Sequence, residues 1–197
     1  MRIVAALGGL IVLLASSEAK AADWKAVEQV KTYAVSGTSG PELYASIGER
    51  GPAASIGRAI AHTNFKLTWT RDYQTRGSDC VLARARPKLT ITYTLPKASQ
   101  KLPPAIKRNW EVFEAGVAAH ERVHGDFIKD MVREIESATV GLTMADDPGC
   151  KKIRGHMTDM LSGISLAQRR KSSEFDRVEL SNGGNVHQLI LNLVNGG

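Results

Sequence analysis

Apolar residues recur in the second half of the chain at Ile106, Trp110, Phe113 and Val117, and again at Phe127, Met131, Ile135 and Ala138. The steps alternate four and three, the spacing of one helix face. They predict a helix over about residues 105–138, roughly 50 Å long at 1.5 Å per residue. Leu102-Pro103-Pro104 leads into it, with proline at the start where its missing N–H costs nothing. A second pattern, at Ile153, Met157, Met160, Leu161, Ile164 and Ala167, predicts a helix over about residues 151–172. It follows the turn Asp146-Asp147-Pro148-Gly149 and should pack antiparallel on the first helix.

The first half alternates instead. Phe65, Leu67 and Trp69 mark a strand within residues 61–73, and Leu89, Ile91, Tyr93 and Leu95 mark another within 81–95, ended by Pro96. The polar loop 74–79, with Gly77, joins them into an antiparallel hairpin. Tyr33 to Val35 reads as a short strand closed by Gly37, and Gly40-Pro41 opens a short helix over 42–49 with Leu43, Tyr44 and Ile47 on its apolar side. Residues 186–194 form an apolar, strand-like tail. The fold class is α+β: a small antiparallel sheet packed against a long helix and a second, antiparallel helix.

Counting on from Val117 along the long helix, the apolar stripe reaches positions 120 and 124, and both are histidine. The stretch reads His120-Glu121-Arg122-Val123-His124. Two imidazoles one turn apart point the same way and can grip one zinc ion, and the glutamate between them can act as general base on a metal-activated water. The bland alternative is a pair of hydrogen-bonded core histidines beside an exposed Glu121. A zinc site needs a third protein ligand and an open position. Glu134 and Glu136 lie roughly 15–18 Å beyond His124 on the same helix, too far to serve. His156, Asp159, Glu174, Asp176 and His187 remain. His187 is favoured, at the head of the apolar tail, with Asp176 close behind as ligand or as a carboxylate orienting a histidine. His62, at the start of a strand, reads as structural. Gly125, directly after His124, implies a kink or a close approach to the helix backbone.

The amino terminus changes the setting. Met1-Arg2, an apolar run from Ile3 to Ala15, and Ala19-Lys20-Ala21 compose a secretory signal peptide cleaved after Ala21. The run is short for a membrane span, and an uncleaved anchor is the alternative. Residues 22–197 then form one domain, periplasmic or secreted. In that compartment Cys80 and Cys150, the two cysteines of the chain, are expected to form a disulfide that ties the start of the second helix to the hairpin loop. As metal thiolates their spacing fits no common zinc pattern. The formal charge of +6 comes without any nucleic-acid motif, and Arg84, Arg86 and Lys88 alternate as the solvated face of a strand.

These residues together resemble a bacterial family, domain of unknown function 922, described as predicted secreted zinc-dependent proteases. The likeness covers most of residues 22–197. It rests on the strand from Tyr33 to Gly37, the Trp69 strand, Cys80, Leu102-Pro103, Trp110, His120-Glu121-x-x-His124, and Cys150 before the second helix. Members usually carry Tyr-Asp and soon after it Thr-x-His-Gly. Here Phe175-Asp176 is similar to the first pair, while His187 arrives later and without the glycine, so the third ligand stays open. The resemblance implies a minimal zincin-like domain that hydrolyses a peptide or protein substrate in the cell envelope; an exposed strand of the sheet is expected to hold the extended peptide by strand addition. A non-catalytic metal-binding protein, or a structural envelope protein that keeps the helix, is the rival reading.

Overall fold

The computed structural model describes residues 24–54 and 57–196; the predicted signal peptide lies outside the described residues. The elements run β1 (Val27–Val35), α1 (Gly40–Arg50), β2 (His62–Arg76), β3 (Asp79–Ala98), α2 (Pro104–Thr139), β4 (Thr143–Met144), α3 (Lys151–Leu180) and α4 (Asn185–Asn195). The alternation in the first half builds the predicted hairpin. β2 and β3 pair antiparallel from His62↔Thr94 to Arg76↔Asp79. The turn is tighter than expected, Gly77-Ser78, with Gly77 at φ +66° where a side chain is disfavoured. Leu89, Ile91 and Tyr93 face inward, and Arg84, Arg86 and Lys88 lie on the exposed face. Pro96 does not end β3. β2 starts opposite Thr94, so no β2 residue faces Pro96 and its missing N–H breaks no bond to that strand.

The sheet is mixed rather than purely antiparallel. β1 joins the other side of β3 in parallel, from Val27↔Thr90 to Val35↔Ala98. β4 pairs with Cys80 and Val81. The order β1-β3-β2 leaves β2 as an edge strand.

α2 spans 36 residues and organises two packed regions. Its first half puts Ile106, Trp110, Phe113 and Val117 against Leu43, Ile47, Ala61, Leu189 and Leu193. Its second half puts Ile128, Met131, Val132 and Ile135 against Leu89, Ile91 and Tyr93, with Leu161 and Ile164 of α3 behind them. The histidine turn lies between these two regions. The tail is a helix, not a strand: Val186, Leu189 and Leu193 recur at helical spacing and are the buried residues of α4. α4 meets α2 at Gly116, where a Cβ would lie 2.3 Å from Leu189 Cδ1.

Gly125 is explained by close approach, because α2 runs through it unbroken. A Cβ there would lie 2.1 Å from the Tyr93 hydroxyl oxygen, and that hydroxyl donates to Glu28 Oε2 at 3.1 Å. Tyr93 is almost fully buried and has no room to move aside. Gly125→Ala is therefore expected to lower stability by about 1–3 kcal/mol through overpacking, measured as a lower urea midpoint with unchanged slope. A rise in stability would show that helix propensity outweighs the contact.

α3 starts at the predicted disulfide. Cys80 and Cys150 are bonded, with Cα atoms 5.3 Å apart. The buried Asp147 accepts hydrogen bonds from Lys151 N (2.7 Å) and Ile153 N (2.9 Å), satisfying free donors at the start of the helix. The bridge closes a separation of 70 residues. Replacing both cysteines by alanine is expected to lower the unfolding free energy by about 2–4 kcal/mol, measured in urea. An unchanged midpoint would show that the bridge does not constrain the unfolded chain.

Candidate metal centre

The register of α3 against α2 assembles the site. Ser165 Oγ lies 3.9 Å from Met131 Sδ, and further along α3 Asp176 meets the earlier His124 and His120, so the helices run antiparallel; α3 continues to Leu180, eight residues past its predicted end. That extension carries Asp176 to the histidines. Asp176 Oδ1 lies 3.1 Å from His120 Nε2 and 2.8 Å from His124 Nε2, and the two Nε2 atoms are 3.1 Å apart. Three ligand atoms thus converge on one point. Donors about 2.0–2.2 Å from a tetrahedral zinc stand roughly 3.3 Å from one another, which this triangle nearly matches. His120, His124 and Asp176 can hold a metal ion.

The rings are held in place. Phe175 stacks on His120 with centroids 4.7 Å apart and planes 18° apart, and Phe127 meets His124 edge-on at 6.2 Å. The histidine side chains are only 9 % and 12 % exposed, whereas Asp176 is 45 % exposed. Burial would lower the His120 pKa. The hydrogen bond that its ring donates to Asp176, with the charges of Glu121 and Asp176, outweighs burial and leaves it raised. Burial would likewise raise Asp176, but bonds to both imidazoles hold it well below the usual carboxylate range. The carboxylate is therefore ionised across the neutral pH range.

Two further contacts complete the surroundings. His120 Nδ1 is buried without a hydrogen-bond partner, and the carboxylate oxygen Glu179 Oε2 lies 3.6 Å away. Asn185 Nδ2 donates to that same oxygen at 3.2 Å. Glu121 is buried, not exposed as the bland alternative would have it. The Thr63 hydroxyl of β2 donates to Glu121 Oε2 and lies 3.1 Å from the Glu121 backbone oxygen. His120, Glu121, His124, Asp176 and Thr63 all line one open cleft of about 750 Å³.

His187, expected as third ligand, does not reach the pair. On α4 it accepts a hydrogen bond at Nδ1 from Gly183 N (3.3 Å). The helical tail buries Val186 and Leu189 and turns the residue after Val186 off that face. Glu174 pairs with Arg177, and His156 and Asp159 are exposed on α3. His62, set aside as structural, stands on the cleft wall. Nothing local in the sequence signals Thr63 or Glu179, because each meets its partner only through tertiary packing.

A family model described as "Bacterial protein of unknown function (DUF922)" matches residues 30–184. The chain belongs to this family. No curated protein and no solved structure matches it. The DUF922 match includes His120, Glu121, His124, Asp176, Glu179 and both cysteines, and it ends before His187. The matched region therefore contains every residue of the His-His-Asp group and omits the histidine that the structure sets apart.

Proposed function

We propose that this DUF922 chain is an exported zinc-dependent peptidase. The observation that carries this reading is the convergence of His120, His124 and Asp176 beside a buried Glu121 in a cleft bordered by an edge strand. The disulfide supports export, and no helix among the described residues is long and apolar enough to cross a membrane. Zinc held by His120, His124 and Asp176 would supply Lewis acidity towards a water and the scissile carbonyl. The protein does the rest. Glu121, held by the Thr63 hydroxyl, takes the proton from the attacking water and returns it to the leaving amine. The outer edge of β2 offers unpaired backbone groups on which an extended peptide can lie. The test is hydrolysis of a mixed peptide library by the zinc-loaded protein, with the Glu121→Gln protein as control. Cleavage that both proteins perform equally would refute the mechanism.

Glu179 has a role in the same scheme. A histidine bound to metal through Nε2 carries its proton on Nδ1, and that proton needs an acceptor. Glu179 is the carboxylate beside His120 Nδ1, and Asn185 fixes its position. Glu179→Ala is expected to weaken zinc binding by about 10- to 100-fold, and Glu179→Gln, which keeps an acceptor oxygen, to recover most of that loss. Competition with a chelator of known affinity measures both. Equal affinity in Glu179→Ala and the parent protein would remove Glu179 from the scheme.

A further inference from the structure

The cleft is not the same on both sides of the histidines. β2 runs alongside α2 in the same direction: Ala61 lies in the packed cluster of Val117, Thr63 bonds Glu121, and Leu67 packs against the cluster that contains Ile128. α3 runs the opposite way, so Leu180, one turn past Asp176, lies towards Val117. α4 crosses α2 at Gly116 on this same side. The cleft wall here includes the apolar residues Ile60, Ala61, Val117, Leu180, Val186 and Ile190, with His62 at its inner end. Leu180 is 50 % exposed, and Tyr44, also an exposed large apolar residue, stands on the same wall. Past the histidines on the other side, the α3 residues facing the cleft are Gln168 and Ser172, which bond to each other at 2.9 Å. Ile128, Asn64 and Phe65 complete that end. The charged group on the apolar side is Arg58, whose Nη1 donates to Gly51 O at 3.2 Å.

We propose that this apolar chamber between Val117 and Leu180 receives a bulky apolar side chain of the substrate, next to the bond that is cut. The proposal rests on the zinc peptidase reading and names its substrate class: peptides with a residue such as leucine or phenylalanine beside the scissile bond. The physical ground is burial. A leucine-sized group gains affinity by leaving water for such a wall, while a charged group entering it loses hydration and meets there Arg58, whose Nη1 is already engaged by Gly51 O. The cavity volume of about 750 Å³ is within the range of ligand sites and has room for the side chain and the adjoining backbone. The occupant is read from the chamber itself: aliphatic side chains make up most of its lining, beside Tyr44 and the engaged Arg58, and it opens beside the three ligand atoms.

The experiment measures binding rather than cleavage, so that the two readings fail separately. The zinc-loaded full chain is titrated with acetohydroxamate, with a hydroxamate carrying an isobutyl side chain, and with the same compound carrying a carboxymethyl group instead. The isobutyl compound is expected to bind about 10- to 100-fold more tightly than acetohydroxamate, the range that burial of such a side chain confers. The carboxymethyl compound should show no such gain. Leu180→Asp, at the half-exposed end of α3, should reduce the isobutyl advantage to under about 3-fold, since it places a charge in the apolar wall. Equal binding of the isobutyl compound and acetohydroxamate would overturn the chamber while leaving the metal centre intact. Tighter binding of the carboxymethyl compound would overturn it in favour of Arg58 as an anion clamp. Failure of acetohydroxamate itself to bind would overturn the zinc reading and the chamber with it.

Discussion

Glu121→Gln is expected to reduce peptide hydrolysis by about 10²- to 10⁴-fold, the range that a positioned general base supplies, while zinc stays bound. The two halves of that expectation have separate structural grounds. Glu121 is buried beside the ligands and is not one of the three converging atoms. Glutamine has nearly the same shape, and its amide oxygen can still accept the hydrogen bond from Thr63. What it cannot do is take a proton. The loss should therefore fall on kcat with little change in KM, since an interaction made only in the transition state is removed. Steady-state kinetics on a cleaved library peptide, with metal content determined on the same sample, separates these terms. Full activity in the variant would show that Glu121 is not the base, whatever the metal content.

Removing a ligand is the second large effect. His124→Ala and Asp176→Ala are each expected to weaken zinc binding by about 10²- to 10³-fold, taking the roughly 10–16 kcal/mol of a four-ligand site as shared evenly. His187→Ala is expected to change nothing, because that side chain turns to Gly183. The trio of variants distinguishes the two candidate ligand sets directly. Asp176 carries the sharper comparison, since its side chain is half exposed and its loss opens little core, whereas His124 also packs on Phe127 and Phe175. Circular dichroism of each metal-free variant checks that the fold is intact before affinity is compared. Normal zinc affinity in Asp176→Ala, with loss in His187→Ala, would reverse the assignment made from the structure.

The histidine pair was legible in the sequence because it interrupts a regular pattern. Val117 and the apolar residues before it set a helical stripe, and the histidines fall where that stripe demands burial. The disulfide was legible for a different reason: two cysteines behind an amino terminus that reads as an export signal leave one pairing. The third position was not legible, and two local ambiguities explain why. Ser172-Ser173 resembles the end of a helix, yet α3 continues through the Glu174–Arg177 pair and stops only at Ser181. The tail from Val186 to Val194 is apolar at most positions, so its sequence fits a buried strand or a short helix equally well. Each misreading displaced the choice from Asp176 to His187. The parallel entry of β1 was hidden because a strand's own residues do not state its direction, and six of the nine in β1 are exposed in succession without alternation. Thr63 and Glu179 depend wholly on which elements meet, Thr63 through β2 lying along α2 and Glu179 through the register of α3.

The most direct test of the metal centre is the zinc absorption-edge fine structure of the full chain loaded with one equivalent of zinc. The geometry requires two imidazole nitrogens and a carboxylate oxygen at about 2.0–2.2 Å, in a four-coordinate shell, and a single imidazole signal in the His124→Ala protein. A shell with no imidazole, or one left unchanged by that substitution, would contradict it.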